Sequence, residues 1–133
     1  MDVAMRTQGE IESAISDGII RFQQEYMGRG PKDIRCHLLG DLVVVRLRGV
    51  LTAAEQHLVK TLPTETGRNL LKQVRLHLVE TARPILEALV HQVTGVKLMS
   101  LHHDISTVTG EEIVILSLTG SPDFRETQRS SMA

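Results

Sequence analysis

The chain has 133 residues, 41% hydrophobic and 23% charged, with a formal net charge of −1, which suits one domain and excludes general attraction to nucleic acid or anionic lipid. Two Phe, one Tyr and no Trp leave no stacking platform for single-stranded nucleic acid or sugars. The single cysteine, Cys36, excludes an internal disulfide framework and fits a reducing cytoplasm.

The opening "MDVAMRTQGE" lacks the apolar run of a signal peptide, and no segment approaches the ~20 apolar residues that span a bilayer. Residues 8–27 carry Ile11, Ile15, Ile19, Phe22 and Tyr26, a helical stripe, and "GRGP" at 28–31 ends it. In "IRCHLLGDLVVVRL" the pair Gly40-Asp41 predicts a two-residue hairpin turn. Counting outward, Leu38 faces Val43, Cys36 faces Val45 and Ile34 faces Leu47, all apolar and on one face. The other face holds Arg35, His37, Leu39, Leu42, Val44 and Arg46.

Thr52 and Glu55 have the spacing of a capping box and predict a helix over 52–62, broken by Pro63. Leu71, Val74, Leu78, Ala82, Ile85, Leu89 and Val93 then make a long helical stripe over 64–93, with a kink or short break expected at Pro84. "VKLMSLHHDIS" and "EEIVILSLT" read as a second hairpin with its turn at Thr109-Gly110. That turn sets Ile105 against Val114, His103 against Leu116 and Leu101 against Leu118. The order α-ββ-αα-ββ predicts an α+β fold: an antiparallel four-stranded sheet from two β-hairpins, with helices packed on one face. The domain spans 8–120; 1–7 and 121–133 read as polar termini.

Strand alternation sends His102 and His103 to opposite faces, so they do not chelate one ion together. His102 and Asp104 share a face, about 7 Å apart along the strand, and are the weak metal candidates; His37 would be a third ligand only with the hairpins adjacent and in register. His57, His77 and His91 read as solvent-facing, and Cys36 as an inert core thiol. No catalytic constellation emerges, no cofactor is implied, and the expectation is a non-enzyme. If the hairpins are adjacent, Leu39, Leu42, Val44, Arg46, Ile113 and Ile115 gather on the outer sheet face as a contact surface, for self-association as a dimer or for a partner. Arg68 and Arg75, seven apart on the long helix, with Gly28 and Gly30 of the "GRGP" loop and Arg29 or Lys32, are the anion-binding candidates.

Beyond these patterns, Gly28-x-Gly30-Pro31, Gly49-x-Leu51-Thr52-x-x-Glu55, Arg75, Gly95 and Asp104 with the hairpin after it occur in an order that resembles the MpsC-like family, from about Glu10 to Leu118. The resemblance implies a small cytosolic bacterial domain, named for the third component of a sodium-translocating, membrane-potential-generating system and linked with inorganic carbon supply. It brings no catalytic residues. The expectation is therefore a cytoplasmic accessory or regulatory homodimer working by protein contact, with membrane transport subunits as partners, no nucleic acid and no membrane insertion. The alternatives are a small-anion or nucleotide sensor, and a metal-dependent enzyme using His102 and Asp104.

Overall fold

The computed structural model describes residues 5–126, and its first element grows from the T-x-x-E at residues 7–10. The Thr7 hydroxyl accepts the Glu10 amide at 3.1 Å and the Glu10 carboxylate accepts the Thr7 amide at 2.8 Å, a reciprocal cap of about 1 kcal/mol. Helix α1 (Gln8–Met27) follows, burying Ile11, Ile15, Ile19 and Phe22 together with Gln23. Gly28 ends it in the left-handed conformation, φ 76°, which spares the chain the Cβ clash of any other residue.

Strands β1 (Asp33–Leu39) and β2 (Leu42–Arg48) pair in the expected register, from Leu39 opposite Leu42 to Ile34 opposite Leu47. Thr52 caps α2 (Ala53–Thr61) through the expected box. Helix α3 (Thr64–Thr94) departs from expectation twice. It runs without a break through Pro84, and both Pro84 and Glu80, whose carbonyl loses its amide partner, lie on the exposed side of the helix. Its buried stripe is Gly67, Leu71, Arg75, Val79, Ala82, Leu86 and Val90, leaving Val74 and Ile85 exposed. The stripe continues at steps of three and four straight through an arginine, which an apolar reading passes over.

Strands β3 (Leu98–Ile105) and β4 (Glu112–Leu118) form the second hairpin, two residues out of the expected register: Ile105 faces Glu112, His103 faces Val114 and Leu101 faces Leu116. The turn is longer than Thr109-Gly110. Residues 106–111 form a loop closed by the Ser106 amide on the Glu111 carbonyl and the Gly110 amide on the Ser106 carbonyl, both 2.8 Å, while the Ser106 hydroxyl accepts the Val108 and Thr109 amides. From Ser100 onward a shift of two keeps each side chain on its expected face, while a bulge between Leu98 and Ser100 turns Leu98 into the core.

The sheet order is β1-β2-β4-β3, all antiparallel, so the hairpins lie side by side through β2 and β4. Helices α1 and α3 pack on one face, around a core that includes Ile15, Val43, Val45, Leu47, Val90 and Leu116. At the turn end of β1, α1 also covers the sheet edge: the Gln8 side chain donates to the Leu38 carbonyl at 2.9 Å and the Leu38 amide donates to Glu12 at 2.8 Å. The expected polar tail is packed as far as it is described. Pro122 is buried, and the Arg125 amide donates to the Arg6 carbonyl at 2.8 Å, tying residues 121–126 to the start of α1. Residues 1–4 and 127–133 of those termini lie outside the described residues.

Candidate functional site

Among the described residues the core contains one charged constellation, built at the junction of β2, α2 and α3. The capping box of α2 holds Glu55 against Thr52: its carboxylate accepts the Thr52 amide at 2.9 Å. One helical stripe away, α3 carries Arg75 into full burial. Its Nε donates to Glu55 Oε2 at 2.9 Å, and one terminal nitrogen donates to Glu55 Oε1 and to the Val50 carbonyl, both at 2.7 Å. Such a fork matches the two carboxylate oxygens and fixes both side chains.

The other terminal nitrogen, Nη1, stands 3.9 Å from Glu112 Oε2 and makes no hydrogen bond. Glu112, buried at the start of β4, accepts the Gln23 amide nitrogen at 3.1 Å through Oε1 and lies 2.8 Å from His103 Nε2 through Oε2. One cluster therefore joins all three helices to the second hairpin. It sets two carboxylates and an imidazole around one guanidinium. Beside it, a cavity of about 30 Å³ lined by Gln23, Phe22, Leu47, Leu78, Val79 and Glu112 is large enough for water and too small for an organic substrate. The signal in the sequence was the arginine in the buried stripe, because a charged residue at such a position requires a buried partner.

A second arginine completes the junction. Arg29 of the "GRGP" loop donates to the Gly49 carbonyl at 2.9 Å and the Leu51 carbonyl at 3.2 Å. With Arg75 on Val50, three successive carbonyls of the β2–α2 connection are held by two guanidinium groups. The anion-binding candidates consequently do not converge. Arg75 is buried on Glu55, Gly28 serves as the α1 cap, Gly30 lies against Ile20 and Gln24, and the Lys32 stem packs over Gly49. Arg68 is exposed elsewhere, lining an open pocket of about 350 Å³ with Lys72, Asp104, Ser106 and Glu111.

The histidine doublet divides between the faces. His103 turns inward to Glu112; His102 is exposed, with Nε2 3.2 Å from the Ser100 hydroxyl. Asp104 Oδ1 accepts the Lys72 ammonium at 2.6 Å and the Ile105 amide at 2.9 Å. The Lys72 hydrogen bond is the main reason its carboxyl is held below the usual carboxylate range. His37 stands on the far edge strand, three strand spacings or about 14 Å from His102, too far to share an ion. Among the described residues no three His, Cys, Asp or Glu side chains are grouped to hold a metal.

The outer sheet face carries the contact-surface candidates, and the register aligns them in rows. Arg35, Arg46, Ile113 and Asp104 cross the four strands in one row; His37, Val44, Ile115 and His102 form the middle row; Leu39, Leu42, Ser117 and Ser100 form the third. Leu42, Val44, Ile113 and Ile115 are contiguous on the two central strands, and among the described residues no helix packs over them. Arg46 and Arg48 are drawn to Glu111 at 2.6 and 3.3 Å, and the Arg46 hydrogen bond leads in holding the Glu111 carboxyl low.

Among the described residues no helix is long and apolar enough to cross a membrane. The chain is similar, at 34% identity over 113 residues, to uncharacterized protein YbcI of Bacillus subtilis strain 168, an alignment covering 85% of this chain and 89% of that protein. No solved structure matches it. The model of the family described as Na+-translocating membrane potential-generating system (MpsC) matches residues 7–119. That span runs from the Thr7 cap to the end of β4 and takes in the two-arginine junction, the buried cluster and the outer face: the chain belongs to the MpsC family.

Proposed function

We propose that the chain is a cytoplasmic, non-enzymatic accessory protein that acts by contact with other proteins through its outer sheet face, as a homodimer, in the service of a membrane-potential-generating system. The family description supports the association with such a system. Ion passage then belongs to membrane subunits, and this domain supplies a docking or regulatory surface to them. The observation that carries the reading is the unbroken aliphatic strip Leu42, Val44, Ile113 and Ile115, flanked by Arg35, Arg46 and Asp104 on a face without helices. An antiparallel sheet open to water on one side alternates apolar and polar residues, with the apolar ones inward. Here both sides of the central strands are aliphatic, and arginine beside aliphatics is the composition of protein interfaces.

Sedimentation equilibrium across a wide concentration range tests the self-association. A monomer–dimer equilibrium is expected, abolished by Val44→Asp with the fold intact by circular dichroism. A strict monomer at the highest concentration removes it. Co-purification with detergent-solubilised membrane subunits of the system tests the second contact, and its absence removes the association.

A further inference from the structure

Resting on that reading of the outer face, we infer that its occupant is a second copy of this chain, related by a two-fold axis running along the strands. Two identical sheets packed face to face admit two such axes in the plane between them. An axis along the strands lays β1 of one copy over β3 of the other and β2 over β4, keeping each row opposite itself. Val44 then meets Ile115 of the partner subunit, and Arg35 meets Asp104 of the partner subunit, each twice per dimer. An axis across the strands lays each strand over its own copy. It sets Arg35 over the partner's Leu39 with no carboxylate of the partner opposite and each histidine of the middle row over itself, whereas Arg46, held by Glu111 of its own chain, faces an aliphatic on either axis. Charge complementarity selects the first axis.

The two charged groups are available for it. Lys72 and the Ile105 amide both bond Asp104 Oδ1, which leaves Oδ2 for a second cation, and the Asp104 side chain is 76% exposed. Arg35 touches Asp33 only through Nε at 3.7 Å, which leaves its terminal nitrogens. The crossing of packed twisted sheets by about 30° displaces the corners of the face by several ångströms, within the reach of an arginine. Twelve side chains a copy is small beside the roughly 20–30 of a standard interface, so the sedimentation series spans a wide concentration range.

Charge exchange tests the axis. Within one chain, positions 35 and 104 lie three strands apart, about 14 Å, beyond the screening length of about 8 Å at physiological salt, so they do not couple. Arg35→Asp and Asp104→Arg should each weaken the dimer by about tenfold in sedimentation equilibrium, and the double exchange should return it toward the parent value. Mixing the two single variants should give a heterodimer in excess of either homodimer, because both cross-subunit pairs become complementary. Additive losses in the double variant, or statistical mixing of the single variants, overturn the axis while the outer-face dimer stands. A dimer insensitive to Val44→Asp overturns the outer face and the axis together.

Discussion

Arg75 and Glu55 meet through two parallel hydrogen bonds, at 2.9 and 2.7 Å, although the Glu55 carboxylate already closes the cap of α2. One carboxylate thus starts a helix and anchors it to the next. Removing the guanidinium strands two buried carboxylates. Arg75→Met should lower the free energy of unfolding by about 3–5 kcal/mol in urea titration. Arg75→Lys, which keeps the charge and loses the fork, should lose less. A loss below about 1 kcal/mol for Arg75→Met, the size of an ordinary surface pair, would contradict the burial described here.

Gly49 holds φ at +67°, and a Cβ there would stand 2.6 Å from the Lys32 side chain. Gly49→Ala should cost about 1–2 kcal/mol from the left-handed backbone alone, with Lys32 displaced as well. Gly9, which has open space around it and no such backbone, is the control. Gly9→Ala should be neutral or stabilising by thermal denaturation.

Acid should weaken the fold by a defined route. The Glu10, Asp104 and Glu111 carboxyls are held below the usual range, chiefly by the Thr7 amide, Lys72 and Arg46 respectively. Groups depressed in the folded state contribute stability that is full above the ordinary carboxylate pKa of about 4 and is lost as pH falls through the lower native values. The melting temperature should therefore hold from neutrality to about pH 5 and decline below about pH 4. Glu10→Gln should flatten part of that decline; an unchanged acid slope would remove the Thr7 cap from the account.

Cys36 is buried, and burial, reinforced by the Glu12 charge, pushes its thiol up to about 12. A thiol-specific reagent at pH 8 should leave it unmodified in the native state and label it in urea, with a native-state rate that follows global unfolding. Rapid native labelling would place the thiol at the surface.

The first hairpin was legible because a two-residue turn leaves no freedom of register, so Gly40-Asp41 determined every pair from Leu39 to Leu47. The second was legible only in its faces. Its loop folds on the Ser106 side chain, a local contact that moves the pairing by two without changing alternation. Adjacent hairpins could be named only as a condition, because the pairing of β2 with β4 joins segments far apart in the chain. Of the buried cluster, alternation alone turns His103 toward the core; its partners are not legible. Glu55 announced itself as a cap, but Gln23 and Glu112 are 89 positions apart and nothing local marks them as partners. Arg75 reads as an anion-binding candidate, since an isolated arginine reads as exposed unless its place in a buried stripe is weighed.

The two side chains of α1 that occupy the Leu38 backbone act as a stopper on that border of the sheet. An incoming strand would have to displace Gln8 and Glu12 before forming its first rungs there. Growth into a ribbon or filament by lateral addition at the β1 hairpin tip is thereby discouraged, and assemblies of this chain are steered toward closed, countable units.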